Sequence, residues 1–324
     1  MNSKEVIETV LGSVQKHQLG FCQCHEHIFI ADGHPAKINP VLKIDDFNKT
    51  LHELKEYKET GGDSIVDAQP IGCGRMPKYL YEASKNANVN IIASTGFHKL
   101  IYYDKNHWIH CMSDKDLANI FTNEIEKGMY VECDMKPPTR RISSKAGIIK
   151  VASDKDGVVG EYRKLFTAAA EASRLTGTSI LSHTEIGRSA LDQIKFLLDA
   201  GLDASSIIIC HIDRDLHDIN FHKAVAETGV YLELDTIGRF KYHNDTEEIQ
   251  FIIKMLEYGY EDRILLGLDT TRARLKSYGG QIGLGYLKNI FIPRLMQSGV
   301  SKNIIEKLTI TNPSNALVKR SDTN

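Results

Sequence analysis

A (β/α)8 barrel is the fold this sequence predicts, on three observations. Eight short runs rich in β-branched residues recur along the chain, amphipathic stretches separate them, and residues able to bind metal ions fall at or beside the ends of the runs. The predicted strands are residues 20 to 30, Ser64 to Ala68, Val89 to Ser94, Ala146 to Val151, Thr178 to His183, Ser206 to His211, Val230 to Asp235 and Arg263 to Asp269. Helices are predicted between them, as at Tyr162 to Thr176, Ala190 to Ala200, His217 to Thr228 and Glu247 to Tyr258, where apolar residues stand three and four apart and a glycine often follows. Eightfold strict alternation favours a closed barrel over an open doubly wound sheet. The dinucleotide-binding alternative also lacks its glycine fingerprint, since Gly72-Cys73-Gly74 does not continue into the required pattern. No linker, low-complexity tract or short-period repeat interrupts residues 1–324, so one domain is expected.

Composition narrows the function. The chain has 324 residues and a net charge of -2, with a pI near 6.7, which gives no basic surface for nucleic acid or membrane. Met1 to Gly12 carries charges throughout and lacks a basic start followed by an apolar block, and no run approaches membrane-spanning length, so a cytoplasmic protein is expected. Six cysteines at positions 22, 24, 73, 111, 133 and 210 read as reduced thiols. Cys22 and Cys24 share one strand face, and a buried structural role is expected for them rather than metal ligation.

The strongest local motif is Phe21-Cys22-Gln23-Cys24-His25-Glu26-His27-Ile28-Phe29-Ile30. Strand alternation puts His25 and His27 on one side and Glu26 on the other, so two imidazoles can grip one ion. Two neutral histidines need anionic ligands beside them to stabilise a divalent cation. His183, His211 and Asp269 each end a predicted strand. Lys150 lies between Ile149 and Val151, where an enclosed ammonium is costly unless it is paired or neutralised. Conversion to a carbamate would turn that liability into an anion.

Taken together, His25-Glu26-His27-Ile28, Ala146-Gly147-Ile148-Ile149-Lys150-Val151-Ala152, Ser182-His183-Thr184, Cys210-His211-Ile212-Asp213, Gly267-Leu268-Asp269 and Ile310-Thr311-Asn312-Pro313 resemble, in order and spacing, the phosphotriesterase-like branch of the amidohydrolase superfamily. The resemblance spans nearly the whole chain. It implies a barrel holding two divalent metals, with zinc first and manganese, cobalt or iron as alternatives. His25, His27 and Asp269 would bind the more buried metal and His183 and His211 the exposed one, with carboxylated Lys150 as the bridge. It also implies a homodimer, and hydrolysis by a hydroxide shared between the metals, with Asp269 taking the proton as the hydroxide attacks. No Gly-x-Ser-x-Gly elbow offers a competing nucleophile.

Substrate choice rests on the loops. Gly96 to Met112, dense in histidine and aromatic residues, and Thr270 to Gly285, with Arg, Lys and paired glycines, follow predicted strands and should face the substrate. Cys133 to Lys145 precedes a strand and should lie elsewhere. The Tyr after strand three and Arg after strand seven that acyl-homoserine lactonases share are not matched by Gly96-Phe97-His98-Lys99 or Leu234-Asp235-Thr236-Ile237-Gly238. Thr236 stands in place of the triesterases' proton-relay histidine. Instead Lys99, Arg188, Arg239, Arg272, Arg274 and Lys276, together with Tyr278, follow strand ends as candidate substrate contacts, and arginine suits a phosphate. The expectation is a small-molecule hydrolase that opens a phosphorylated sugar lactone. Its alternatives are a phosphotriesterase or other carboxylester hydrolase on the same site, and a metal-binding barrel without chemistry.

Overall fold

Eight parallel strands form the centre of the computed structural model, which describes residues 5–185, 187 and 189–320. They are β1 (Cys22–Glu26), β2 (Ser64–Asp67), β3 (Asn90–Gly96), β4 (Ile148–Ala152), β5 (Ile180–His183), β6 (Ile207–Ile209), β7 (Tyr231–Leu234) and β8 (Ile264–Leu266). Each pairs with the next in chain order, and helices run between them, as the alternation predicts. Two of the helices begin where a side chain caps them. Asp218 caps Ile219–Glu227, and Asn244 closes a capping box with Glu247 on Asp245–Glu257, so both boundaries differ by two residues from the spacing-based expectation.

Strand alternation divides the core in two. On β4, Ile149 and Val151 point outward into the large core between sheet and helices. Ile148 points inward to a second cluster with Cys22, Cys24, Val66, Leu181 and Leu265. The two cysteines therefore pack inside the barrel, in the structural position expected of them. A hairpin of Val6–Thr9 and Gly12–Gln15, not anticipated from the sequence, puts Ile7 into this inner cluster. Lys150 shares the inward face with Ile148 and is fully buried. Gly96 makes room at this point, because a Cβ there would collide with the Lys150 carbonyl.

The strand expected over residues 20 to 30 is shorter than its apolar run. Register shifts between Gln23 and Glu26, and Ile28 N then donates to Asp67 Oδ1 at 2.9 Å instead of to a strand. β8 likewise stops at Leu266. The seam between β1 and β8 is closed by Asp269 N donating to His25 O at 3.0 Å and by the Glu26 side chain. Glu26 Oε1 accepts from Leu268 N at 2.9 Å and from Gln23 Nε2 at 2.8 Å, while Oε2 accepts from Thr270 N at 3.1 Å and from Thr270 Oγ1 at 2.5 Å. Gly267 permits the approach, since a Cβ there would stand 3.0 Å from the His25 backbone nitrogen.

Two predictions follow from this buried stitching. Glu26→Ala strands both Thr270 donors and leaves Leu268 N with only a 3.4 Å bond to the His25 carbonyl, and at about 1–3 kcal/mol for each buried unmet donor it should lower the unfolding free energy by at least about 2 kcal/mol. Urea denaturation measures this, and a loss below about 1 kcal/mol would deny the seam its role. Burial also pushes the Glu26 carboxyl up to about 7 against the Thr270 bonds, and the Asp67 carboxyl up to about 7 against the Ile28 bond. A raised folded value contributes stability present in full below about pH 4 and lost as pH climbs through about 7. The metal-free parent should therefore lose stability relative to Asp67→Asn, which keeps an acceptor for Ile28 N, from about pH 5 to about pH 8, a difference in which the opposing contribution of the buried neutral histidines cancels. A difference between parent and variant that stays flat or reverses across this window would contradict the assignment.

Candidate metal centre and its cleft

The strand ends bring His25, His27, Lys150, His183, His211 and Asp269 to one rim of the barrel. Lys150 Nζ lies 3.3 Å from His25 Nε2. Asp269 Oδ1 lies 3.5 Å from His27 Nε2 and 4.0 Å from His25 Nε2. On the other side His211 Nε2 stands 2.7 Å from His183 Nδ1, and the His25 and His211 rings are 4.9 Å apart between centroids. All six side chains are buried.

Acidic partners behind the imidazoles orient them. His25 Nδ1 faces Glu233 Oε2 at 2.6 Å, and His211 Nδ1 faces Asp235 Oδ1 at 2.7 Å. Asp235 Oδ2 accepts from His211 N at 3.0 Å and lies 3.3 Å from His25 Nδ1. His183 Nε2 meets Glu185 Oε1 at 3.0 Å. The hydrogen-bond network thus assigns protons to the outer nitrogens and leaves lone pairs on the inner ones. Glu233 and Asp235 were missed from the sequence, although two acids one residue apart in Val230-Tyr231-Leu232-Glu233-Leu234-Asp235 signal a shared inward face.

Backbone conformation adds a second mark. Among described non-glycine residues only Asn88, Glu132, His211 and Asp269 have positive φ, at 59° for His211 and 47° for Asp269. A left-handed residue costs on the order of 1–3 kcal/mol and persists where surrounding bonds over-determine it. Asp235 holds the His211 amide, and the His25 carbonyl holds the Asp269 amide.

The donor set fits divalent metals. With their outer nitrogens donating to acids, His183 and His211 turn two lone pairs toward each other at 2.7 Å, an arrangement a cation would satisfy. Protonation does not substitute for it, because burial, followed by the Arg214 charge, pushes both imidazoles well below their usual range. Burial alone would raise the Asp269 carboxyl, yet the Arg239 guanidinium, the His27 bond and the other histidines hold it well below the carboxylate range. Imidazole and carboxylate ligands of this kind suit zinc, manganese, cobalt or iron.

Above the centre lies a cleft of about 500 Å³. Lys99 and Arg239 line it: Lys99 pairs with Glu185 at 2.8 Å, and Arg239 Nη1 contacts Asp269 Oδ2. Arg274 also reaches the lining, but its guanidinium donates to the Leu268, Asp269 and Ile237 carbonyls, tying the turn after β8 to that after β7. Arg272, Lys276 and Tyr278 do not line the cleft. Arg272 stacks on the Tyr278 ring at 5.2 Å, and the Tyr278 hydroxyl is held by Asp46 and Thr50. Arg188 lies outside the described residues. His98, Tyr102, Arg214, Lys241 and Tyr242 complete much of the wall, and Arg214 Nη2 sits 3.3 Å from Asp269 Oδ2. Nothing in the spacing of the irregular segment after His211 marked Arg214 as inward. Beside Thr236 an imidazole is present after all, since Thr236 Oγ1 meets His243 Nε2 at 3.1 Å.

Asp235→Ala should leave the His211 ring without its orienting acid, while Glu233 still holds His25. Metal affinity should fall about 10- to 100-fold, read by competitive titration against a chelating dye, and an unchanged affinity would show that Asp235 does not hold the His211 ring.

Comparison with known proteins agrees with this geometry. The sequence profile of the phosphotriesterase family matches residues 5–317. A phospho-furanose lactonase of Mycoplasmopsis synoviae is 34% identical over 95% of this chain and 90% of its own. A second, from Mycoplasmopsis agalactiae, is 32% identical over 98% and 92%. Among solved structures, an amidohydrolase from Mycoplasma synoviae superposes with a TM-score of 0.93 at 31% identity, covering 99% of this chain and 94% of that one. A lactonase from Listeria monocytogenes does so with a TM-score of 0.89 at 28% identity, covering 98% and 100%. A barrel of eight parallel strands, with this constellation at one rim and these relatives along its whole length, is an ester-hydrolysing enzyme, and the chain belongs to the phosphotriesterase family.

Proposed function

We propose that this protein is a metal-dependent lactonase that opens the ring of a small phosphorylated sugar lactone. The observation that carries the reading is the set of cations, Lys99, Arg214, Arg239 and Lys241, lining the cleft directly over the candidate metal centre. Guanidinium groups grip phosphate oxygens two at a time, and a neutral triester would give these charges no partner. The phospho-furanose lactonase relatives support the same class.

In this reading His25, His27 and Asp269 would hold one divalent ion and His183 and His211 the other, and Lys150, carboxylated on Nζ, would supply an anionic ligand to the pair. The ions, when bound, supply Lewis acidity and a water of lowered pKa. The chain's own part is to place and move charge. Glu233, Asp235 and Glu185 keep the imidazole lone pairs turned inward. Asp269 takes the proton of the attacking water as its oxygen adds to the lactone carbonyl. It returns that proton to the ring oxygen as the carbon–oxygen bond breaks, leaving the hydroxy acid. A phosphate entering the cleft would draw Arg239 and Arg214 off Asp269 Oδ2, freeing the carboxylate for that transfer. We further read residues 1–324 as one catalytic barrel that forms a homodimer. Its six unpaired thiols suit a reducing cytoplasm.

The test is a lactone panel with the protein loaded with zinc or manganese in bicarbonate. A five-membered sugar lactone bearing a phosphate should react at least about tenfold faster, in kcat/KM, than its unphosphorylated counterpart, the worth of one charge-assisted contact of about 1.5 kcal/mol. Asp269→Asn and Lys150→Ala should each remove the activity. Equal rates on the two lactones would remove the phosphate from the proposal. An aryl phosphotriester cleaved faster than any lactone would replace it with the triesterase reading, and tight ligand binding without turnover would leave a binding protein.

A further inference from the structure

A second cavity, of about 630 Å³, lies beside the first and shares Arg214 and Tyr242 with it. The Arg214 guanidinium rests over the Tyr242 ring at 5.4 Å, so these two side chains form part of the boundary between the spaces. His243 stands in the wall of the second cavity. Two acids converge on it: Asp213, from the turn after β6, and Glu248, from the start of the helix Asp245–Glu257. One ligand atom from each of the three residues lies within 4.8 Å of the other two.

Hydrogen bonding accounts for only part of this group, since Thr236 Oγ1 meets His243 Nε2 at 3.1 Å and Thr236 N reaches one oxygen of Asp213. Asp213 and Glu248 are completely buried, and the His243 side chain is 7% exposed. Asp213 Oδ2 accepts from Thr236 N at 2.7 Å, but Oδ1 has no partner. Glu248 Oε2 is 2.9 Å from His243 Nε2, yet neither of its oxygens accepts a well-aligned hydrogen bond, and His243 Nδ1 has no partner. Two enclosed carboxylates with one well-aligned donor between them, Thr236 N, are costly to bury, and each makes the other's charge harder to hold. One imidazolium offsets one of those charges at most. A divalent cation would offset both and satisfy the orphaned atoms.

We propose that Asp213, His243 and Glu248 form a third cation site, distinct from the pair of ions expected at His25, His27, Lys150, His183, His211 and Asp269. Two carboxylates suit a hard ion such as Mn²⁺, and the added imidazole also admits borderline Zn²⁺. The ion would clamp the turn after β6 to the segment after β7 that carries Arg239 and Tyr242. It would thereby set the position of cleft residues without touching the substrate.

Manganese serves as the probe. In crystals of the intact protein grown with MnCl2, an anomalous difference peak should appear among Asp213, His243 and Glu248, and its position separates it from any peak at the main centre. No peak there at saturating manganese overturns the site, whatever the main centre holds. Equilibrium dialysis should count one equivalent fewer for Glu248→Gln than for the parent, with the circular dichroism spectrum unchanged, and an equal count overturns it too. If that variant fails to fold, the anomalous map on the parent protein decides alone.

Discussion

The seam between β1 and β8 is the constraint on which the site depends. A barrel of eight strands has one place where the last strand must meet the first, and here the ladder alone does not close it. Glu26 completes the join by accepting three bonds from Leu268 and Thr270, and its neighbours in sequence are the two histidines of the centre. The same contact therefore fixes His25 and His27 on one side and Asp269 on the other. Gly267 and Gly96 serve this geometry by leaving room, one at the seam and one over Lys150, so the approach of backbones is part of how the side chains converge.

Charge is arranged in layers around that join. Carboxylates on and just after β7 lie behind the imidazoles, lone pairs face the centre, and guanidinium and ammonium groups stand above it in the cleft. Each layer has a separate physical task. The acids orient the histidine rings, the inner atoms are turned where they could bind cations, and in the proposed function the outer cations would meet an anionic substrate. Asp269 belongs to two layers at once, with Oδ1 toward His25 and His27 and Oδ2 toward Arg214 and Arg239.

The strand-end residues were legible in the sequence because a strand has only two faces and a barrel brings one end of every strand to the same rim. Once His25, Lys150, His183, His211 and Asp269 are placed on strands, their convergence needs no knowledge of loops. The cleft cations were legible only in part. Lys99 and Arg239 reach the cleft, while Arg274 is spent on backbone carbonyls and Arg272 leans on Tyr278, and no period in an irregular segment distinguishes these fates. Arg214 escaped notice for the same reason: the left-handed residue at His211 redirects the chain just before it. Strand ends were overextended where β-branched or apolar character continued past the last ladder bond, as at residues 27 to 30.

The cleft cations ride on segments outside the strand ladder, whereas the six residues of the centre sit on the strands or immediately beside them. Changes in segment length or residue choice above the rim can thus alter which molecules are accepted while the reaction machinery below stays intact. Descendants of such a chain can switch diet by revising a few turns, provided the join that holds the floor together is left alone.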